Sequence, residues 1–327
     1  MIELAFVLLV ALALFFDFVN GFHDSSNAVA TVISTRALSA RQAILLSAFF
    51  NFVGPFLFGT AVAHTIGTGI VAPEAVTSAV IAAALAGAVA WSLATWYLGI
   101  PSSSSHALVG GLAGSVIMAQ GVGAVNLSGL LKILASLVIS PVFGIAGGFL
   151  LMIVLLRVFR RANPAALNNK FKHLQVLSSS AISLSHGTND AQKTMGVIAA
   201  ALVTFGYSKE FSIPLWVIGL CALSIALGTM VGGWRIIKTM GGRIVKLRPI
   251  HGFSAETSSA AIILASSLFG MPVSTTHVVS SSIMGVGASQ RLTSVRWGIA
   301  RQILVAWFLT LPLSAAMAAF AYLIIPH

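Results

Sequence analysis

The 327-residue chain is 57% hydrophobic and 8% charged, against about 25% charged for a soluble domain. That excludes a water-soluble globular protein and predicts an all-α polytopic protein of the lipid bilayer. Its net charge of +11 would suggest nucleic acid in a soluble chain, but the basic residues lie between hydrophobic spans, at Arg36 and Arg41, in 157–172 and 235–248, and at Arg291 and Arg296. This is the positive-inside pattern of cytoplasmic loops, so no nucleic-acid partner is expected.

From the start, residues 4–16 are apolar, lack a basic leader and run on as helix-like sequence, which predicts a retained span rather than a cleaved signal peptide. The span enters a polar knot, Asn20-Gly21-Phe22-His23-Asp24-Ser25-Ser26-Asn27. Further spans are predicted over 42–64, 76–98, 102–120 and 127–156, with an external loop over 65–75 that carries Glu74. Asn163-Pro164 and Asn168-Asn169 mark 157–173 as a basic cytoplasmic linker. The second half repeats the plan over 174–205, 213–234, 252–269, 272–287 and 297–325. The lone Cys221 lies in an apolar helix and predicts no disulfide.

Two motifs occur twice. Gly21 and Asp24 recur as Gly187 and Asp190 in His186-Gly187-Thr188-Asn189-Asp190-Ala191-Gln192-Lys193, both shifted by 166 residues (187 − 21 and 190 − 24). Pro101-Ser102-Ser103-Ser104-Ser105-His106 recurs as Pro272-Val273-Ser274-Thr275-Thr276-His277, shifted by 171 (272 − 101 and 277 − 106). With the basic loops inside and the N-terminus outside, five crossings precede the second knot, and an odd number inverts the second copy. The predicted architecture is two inverted repeats, 1–156 and 174–327, the arrangement of many secondary transporters. Ten crossings result, or about twelve segments if those after Pro101 and Pro272 are re-entrant or the knot helices split, as in the broken helices of such transporters.

An ionised side chain at bilayer depth costs at least about 2.5 to 3.5 kcal/mol and faces a cavity with a partner. Asp24 and Asp190, with His23, Asn27 and Asn189 nearby, are therefore the predicted cation-binding residues, with Asp24 and Asp190 as Na⁺ ligands or members of a proton relay. Gly21 and Gly187 are expected to loosen their helices and free backbone carbonyls. The bland alternative is that each Asp caps a helix, or pairs with Lys193 or a His.

The Pro-Ser motifs call for the opposite charge. Proline starts a helix, hydroxyl residues cap it, and a helix N-terminus with free N–H groups attracts an anion. Ser103, Ser104, Ser105, Ser274, Thr275 and Thr276 are thus assigned to a small oxyanion, together with Gln192 and Lys193; Lys193 alternatively neutralises Asp190. Ser runs also serve plain helix packing. His106 and His277 stand behind the motifs or pack helices, and Asp17 lies seven residues before Asp24. Glu256 has no counterpart in the first half. A divalent oxyanion beside two aspartates brings about four negative charges together, tolerable only with cations or protons bound.

Residues 21–28, 185–193 and 270–277 resemble the PiT inorganic phosphate transporters, especially the bacterial Pit type. The resemblance covers nearly the whole chain. It implies a multi-pass carrier of the cytoplasmic membrane, often a homodimer, that moves inorganic phosphate with Na⁺ or H⁺, in some members as a neutral metal phosphate, and without a cofactor. The Gly-x-Asn-Asp signature is kept at 187–190, whereas His23 replaces the Asn in the first copy. That substitution removes a neutral oxygen and leaves H⁺ coupling open. The reading is cation-coupled phosphate symport by alternating access rather than an enzyme. Sulfate carriage by the same fold, an anion channel, and a membrane-embedded Ser/His/Asp hydrolase are the alternatives, the last disfavoured by two equivalent residue sets where one asymmetric nucleophile is needed.

Overall fold

A computed structural model describes residues 2–70 and 75–326; Glu74 of the predicted external loop lies outside them. Regular structure among the described residues is helical, without a strand. The first half comprises α1 (Ile2–Ser34), α2 (Ala40–Val53), α3 (Ala61–Gly69), α4 (Ser78–Leu98), α5 (Ser104–Gln120) and α6 (Leu127–Val158). The second comprises α7 (Pro164–Thr204), α8 (Leu215–Val231), α9 (Trp234–Lys238), α10 (Pro249–Leu268), α11 (Thr275–Gln290) and α12 (Trp297–Ile324).

The order of elements repeats. Each half runs from a long knot-bearing helix through a bent pair, a straight helix and a Ser-capped helix to a long final helix. The final helices each contain a proline, Pro141 in α6 and Pro312 in α12, separated by the same 171 residues (312 − 141) as the Pro-Ser motifs.

Among the described residues four helices, α1, α4, α6 and α12, are long and apolar enough to cross a membrane, and the count rises to six if each bent pair is one span. Large apolar side chains on their outer faces are exposed, among them Val7, Leu8, Val142, Leu150, Phe308 and Phe320. A water-soluble monomer rarely presents so much apolar surface, whereas lipid tails accept it.

The predicted spans 42–64 and 213–234 are bent rather than straight. The α2/α3 pair turns by 74° and the α8/α9 pair by 62°, beside Pro55 and at Gly232-Gly233, where proline and glycine interrupt the backbone ladder. The basic segment before the second knot is mostly helix, because α7 begins at Pro164 with the Asn163 side chain accepting from the Ala165 N–H at 2.9 Å.

The knots also depart from expectation. Both α1 and α7 run unbroken through them, so Gly21 and Gly187 free no carbonyls. Their role is close approach: a Cβ at Gly21 would lie 2.3 Å from the Ile225 carbonyl oxygen, and one at Gly187 would lie 2.5 Å from that of Asn51. They let α8 and α2 press against the knot helices.

The apolar core is divided by the knots. One cluster takes α1 residues up to Phe22 and α7 residues from Ala191 onward. The other takes α1 from Ala28 and α7 up to Ile182. Between them lies a layer of buried polar residues, His23, Asp24, Ser25, Ser26 and Asn27 of α1 with Ser183, Ser185, His186, Thr188, Asn189 and Asp190 of α7. Polar groups gathered between two apolar clusters suit a membrane protein, where polar side chains are tolerated when buried in protein or lining a cavity.

Candidate functional site

The site forms where α1 and α7 pack together and the starts of α5 and α11 reach them. Both starts are built alike. Gly99 (φ +68°) and Gly270 (φ +66°) end α4 and α10 in the left-handed region. The Ile100 N–H then reaches the Thr95 carbonyl and the Met271 N–H the Ser266 carbonyl, each at 2.9 Å, a Schellman-type stop. Proline follows, and Ser103 and Ser274 cap the next helix, accepting from the backbone N–H of His106 at 3.1 Å and of His277 at 3.2 Å. The two starts touch, since Ser105 donates to the Val273 carbonyl at 3.0 Å.

The predicted hydroxyl set therefore divides. Ser103 and Ser274 are committed to their helix ends, while the next residues reach the aspartates. Ser104 donates to Asp24 Oδ2 at 3.0 Å and Thr276 to Asp24 Oδ1 at 3.2 Å. Thr275 donates to Asp190 Oδ2 at 3.4 Å. Asn27 binds both threonines, its amide donating to Thr276 at 3.0 Å and to Thr275 at 3.4 Å. Both Asp24 and Asp190 are buried.

Each aspartate also has a basic neighbour. His23 Nδ1 lies 2.7 Å from Asp24 Oδ1, and its Nε2 lies 3.1 Å from Thr95 Oγ1 and 3.3 Å from Ser102 Oγ. Lys193 Nζ lies 2.9 Å from Asp190 Oδ1 and donates to Ser104 Oγ at 3.3 Å. His186 places Nε2 3.5 Å from Asp190 Oδ2 and Nδ1 3.2 Å from Asn51 Oδ1. Ligand atoms of Asp24, His186 and Asp190 all fall within 4.8 Å of one another, close enough to share one cation.

Other predicted residues have different surroundings. The Gln192 Oε1 accepts from the backbone N–H of Val62 at 2.8 Å and of Ala63 at 3.3 Å, so it caps the start of α3. Asn189 donates to Ser267 at 2.8 Å, leaving its Oδ1 without a hydrogen bond among the described residues. His106 and His277 pack ring to ring at 4.6 Å, with Trp307 stacked on His277 at 3.8 Å. Asp17 faces Thr194 on the Asp190 and Lys193 side of α1, and no hydrogen bond joins it to Asp24.

Two residues were not assigned from the sequence. His186 sits four before Asp190 on one helix face, an i, i+4 spacing that was legible. Glu256 is buried and accepts from Thr31 at 2.5 Å, Ser178 at 2.5 Å and Gln175 at 2.8 Å. An isolated carboxylate inside an apolar helix was the available signal.

The arrangement holds two carboxylates, basic neighbours and two helix starts in one buried layer, suited to an anion and cations together. Residues 20–318 match the phosphate transporter family. The chain belongs to that family. It is 50% identical over 323 residues to a probable low-affinity inorganic phosphate transporter of Rhizobium meliloti (strain 1021), covering 98% of this chain and 97% of the relative. It is 49% identical to the protein of the same description from Bacillus subtilis (strain 168), covering 98% and 96%. Its fold is similar to a solved structure described as the sodium-dependent phosphate transporter, with TM-score 0.91, 29% identity and 98% of each chain covered. Members of the phosphate transporter family are carriers, not enzymes, so the paired Ser, His and Asp residues do not make a hydrolase. The match takes in both knots and both Pro-Ser motifs, placing every candidate residue except Asp17 within the family's extent.

Proposed function

We propose that this phosphate transporter carries inorganic phosphate by cation-coupled symport across the cytoplasmic membrane, through alternating access between two inverted repeats, 1–156 and 174–327, joined by 157–173. The observation that carries the reading is the grip of both Pro-Ser motifs on the aspartates: Ser104 and Thr276 on Asp24, and Thr275 on Asp190.

Those contacts supply a coupling mechanism. A hydroxyl has one proton and two lone pairs, and its proton turns toward the best acceptor. Facing a bare carboxylate, Ser104, Thr275 and Thr276 give that proton to Asp24 or Asp190. A Na⁺ or proton on the carboxylate removes the acceptor, and the hydroxyls turn their protons to a phosphate oxygen. The phosphate then sits on these hydroxyls, Ser105, Lys193 and the free N–H groups at the starts of α5 and α11. Cation ligands are Asp24 and Asp190, with Asn27, Asn189, His23 and His186 around them. The structural relative's description favours Na⁺, while His23 beside Asp24 favours H⁺.

The element order and the paired prolines support the repeats; inversion rests on the five crossings expected from the sequence of the first half. The resemblance further implies a homodimer, with one complete site in each protomer. A second reading, carriage of phosphate as a neutral metal complex, is favoured by the convergence of Asp24, His186 and Asp190 within 4.8 Å, since imidazole and carboxylate together suit a divalent metal.

The test is uptake by proteoliposomes under separately imposed Na⁺ and pH gradients, with phosphate, sulfate and arsenate in competition and divalent metals present or chelated. Phosphate is expected to accumulate beyond its own electrochemical gradient under one cation gradient. Uptake that never exceeds that gradient identifies a channel, and preference for sulfate overturns the substrate assignment.

A further inference from the structure

The two knots are related residue for residue, yet one position differs in charge. Shifting by 166 residues pairs Asp24 with Asp190 and Asn27 with Lys193 (193 − 27). The Pro-Ser shift of 171 pairs Ser104 with Thr275. In the first copy Asn27 reaches across to the opposite helix start, donating to Thr275 at 3.4 Å and Thr276 at 3.0 Å. In the second copy Lys193 makes the corresponding reach, donating to Ser104 at 3.3 Å. It also forms an ion pair with Asp190 at 2.9 Å.

Lys193 is fully buried, which is rare for this residue and costly unless the ammonium is paired. Its Nζ lies between the Asp190 carboxylate and a hydroxyl that itself donates to Asp24 at 3.0 Å. An ammonium is a compact point charge on a flexible stem. Here it occupies the place that a dissolved cation shared by Asp190 and Ser104 would take. In the first copy the equivalent residue, Asn27, is neutral, and the neighbour of Asp24 is the His23 imidazole at 2.7 Å rather than an ammonium.

We propose that Lys193 is a tethered cation that stands in for one mobile coupling cation, so that the Asp190 half of the site is neutralised by the chain and only the Asp24 half exchanges its cation during transport. This deepens the symport reading and rests on it. A divalent phosphate with Asp24 and Asp190 carries four negative charges, and Lys193 offsets one of them permanently. The carrier then needs one fewer cation per phosphate than a site with Asn in both copies, and phosphate binds at lower cation concentration.

The decisive substitution is Lys193→Asn, which gives the second copy the residue of the first, with Lys193→Arg as the charge-preserving control. Full-length proteins are reconstituted in liposomes, and the voltage at which net labelled-phosphate flux reverses is measured under fixed phosphate, pH and Na⁺ gradients. This yields the positive charges moved per phosphate. K193N is expected to move one more mobile positive charge than the unsubstituted protein, and its uptake at low Na⁺ to fall at least about tenfold and recover as Na⁺ is raised. K193R is expected to keep the original charge count.

An unchanged count and unchanged cation dependence in K193N overturn the proposal, as does K193R behaving like K193N. If K193N does not transport, thermal unfolding of the purified proteins with phosphate and Na⁺ titrated separately decides the matter. Phosphate must then stabilise both proteins when Na⁺ is added, with K193N needing at least about tenfold more Na⁺ than the unsubstituted protein. Failure of Na⁺ to restore phosphate binding overturns the tethered-cation role. Absence of phosphate uptake by the unsubstituted protein is a separate result, which counts against symport itself before any substitution is made.

Discussion

In the proposed mechanism the smallest moving part is a hydroxyl proton that turns from a carboxylate to a phosphate. Thr276 donates to Asp24 and receives from Asn27, so it senses both the cation position and the opposite knot. Thr276→Val keeps the side-chain shape and removes the donor. Uptake at limiting cation is expected to fall about tenfold, the scale of one lost hydrogen bond to a charged group, while Thr276→Ser retains transport. Equal loss in both variants would show that shape, not the proton, matters. At this scale the sequence was legible where chemistry was duplicated: Asp24, Asp190, Ser104, Thr275 and Thr276 all meet. It was less legible where a polar side chain reaches a partner distant in the chain. Gln192, assigned to the oxyanion, gives its oxygen to the N–H groups at the start of α3, a contact between residues 130 apart that no local spacing signals, while its amide Nε2 has no hydrogen bond among the described residues. Glu256 was missed for the same reason, its three donors coming from α1 and α7.

Among the elements, the knot helices gain their function by staying continuous. Gly21 and Gly187 were read as breaks because glycine weakens a helix in isolation, yet here tertiary packing overrides propensity and uses the missing Cβ for contact with α8 and α2. Gly187→Ala is therefore expected to destabilise by about 1 to 3 kcal/mol through overpacking against Asn51, read as a lowered midpoint of thermal unfolding in detergent. An unchanged midpoint would contradict the close-approach role. The bends in α2/α3 and α8/α9 were illegible because apolar residues run on through them and hydropathy reports depth, not direction. The helix starts after Pro101 and Pro272 were legible because glycine, proline and serine each have a specific backbone use there.

For the whole molecule, the division of the core into two apolar clusters with the polar layer between them follows from composition once both knots are placed at one depth. Inversion itself is a statement about sides. Val122 and Leu292 are exposed and occupy equivalent turns before α6 and α12, while the native Cys221 is buried. In intact cells, Val122→Cys is expected to react with a membrane-impermeant thiol reagent from outside and Leu292→Cys only after permeabilisation. Labelling of both from one side would contradict the inverted repeats.

The central claim is that Asp24 and Asp190 hold the cation charge that lets the helix starts hold phosphate. Its most direct test is labelled-phosphate uptake into proteoliposomes under an imposed Na⁺ or pH gradient, comparing the unsubstituted protein with Asp24→Asn and Asp190→Asn. Gradient-driven accumulation is expected to fall by about two orders of magnitude in each variant, as loss of a buried charged contact worth about 3 kcal/mol implies. Accumulation by both variants at the unsubstituted rate, under the same gradient, would contradict it.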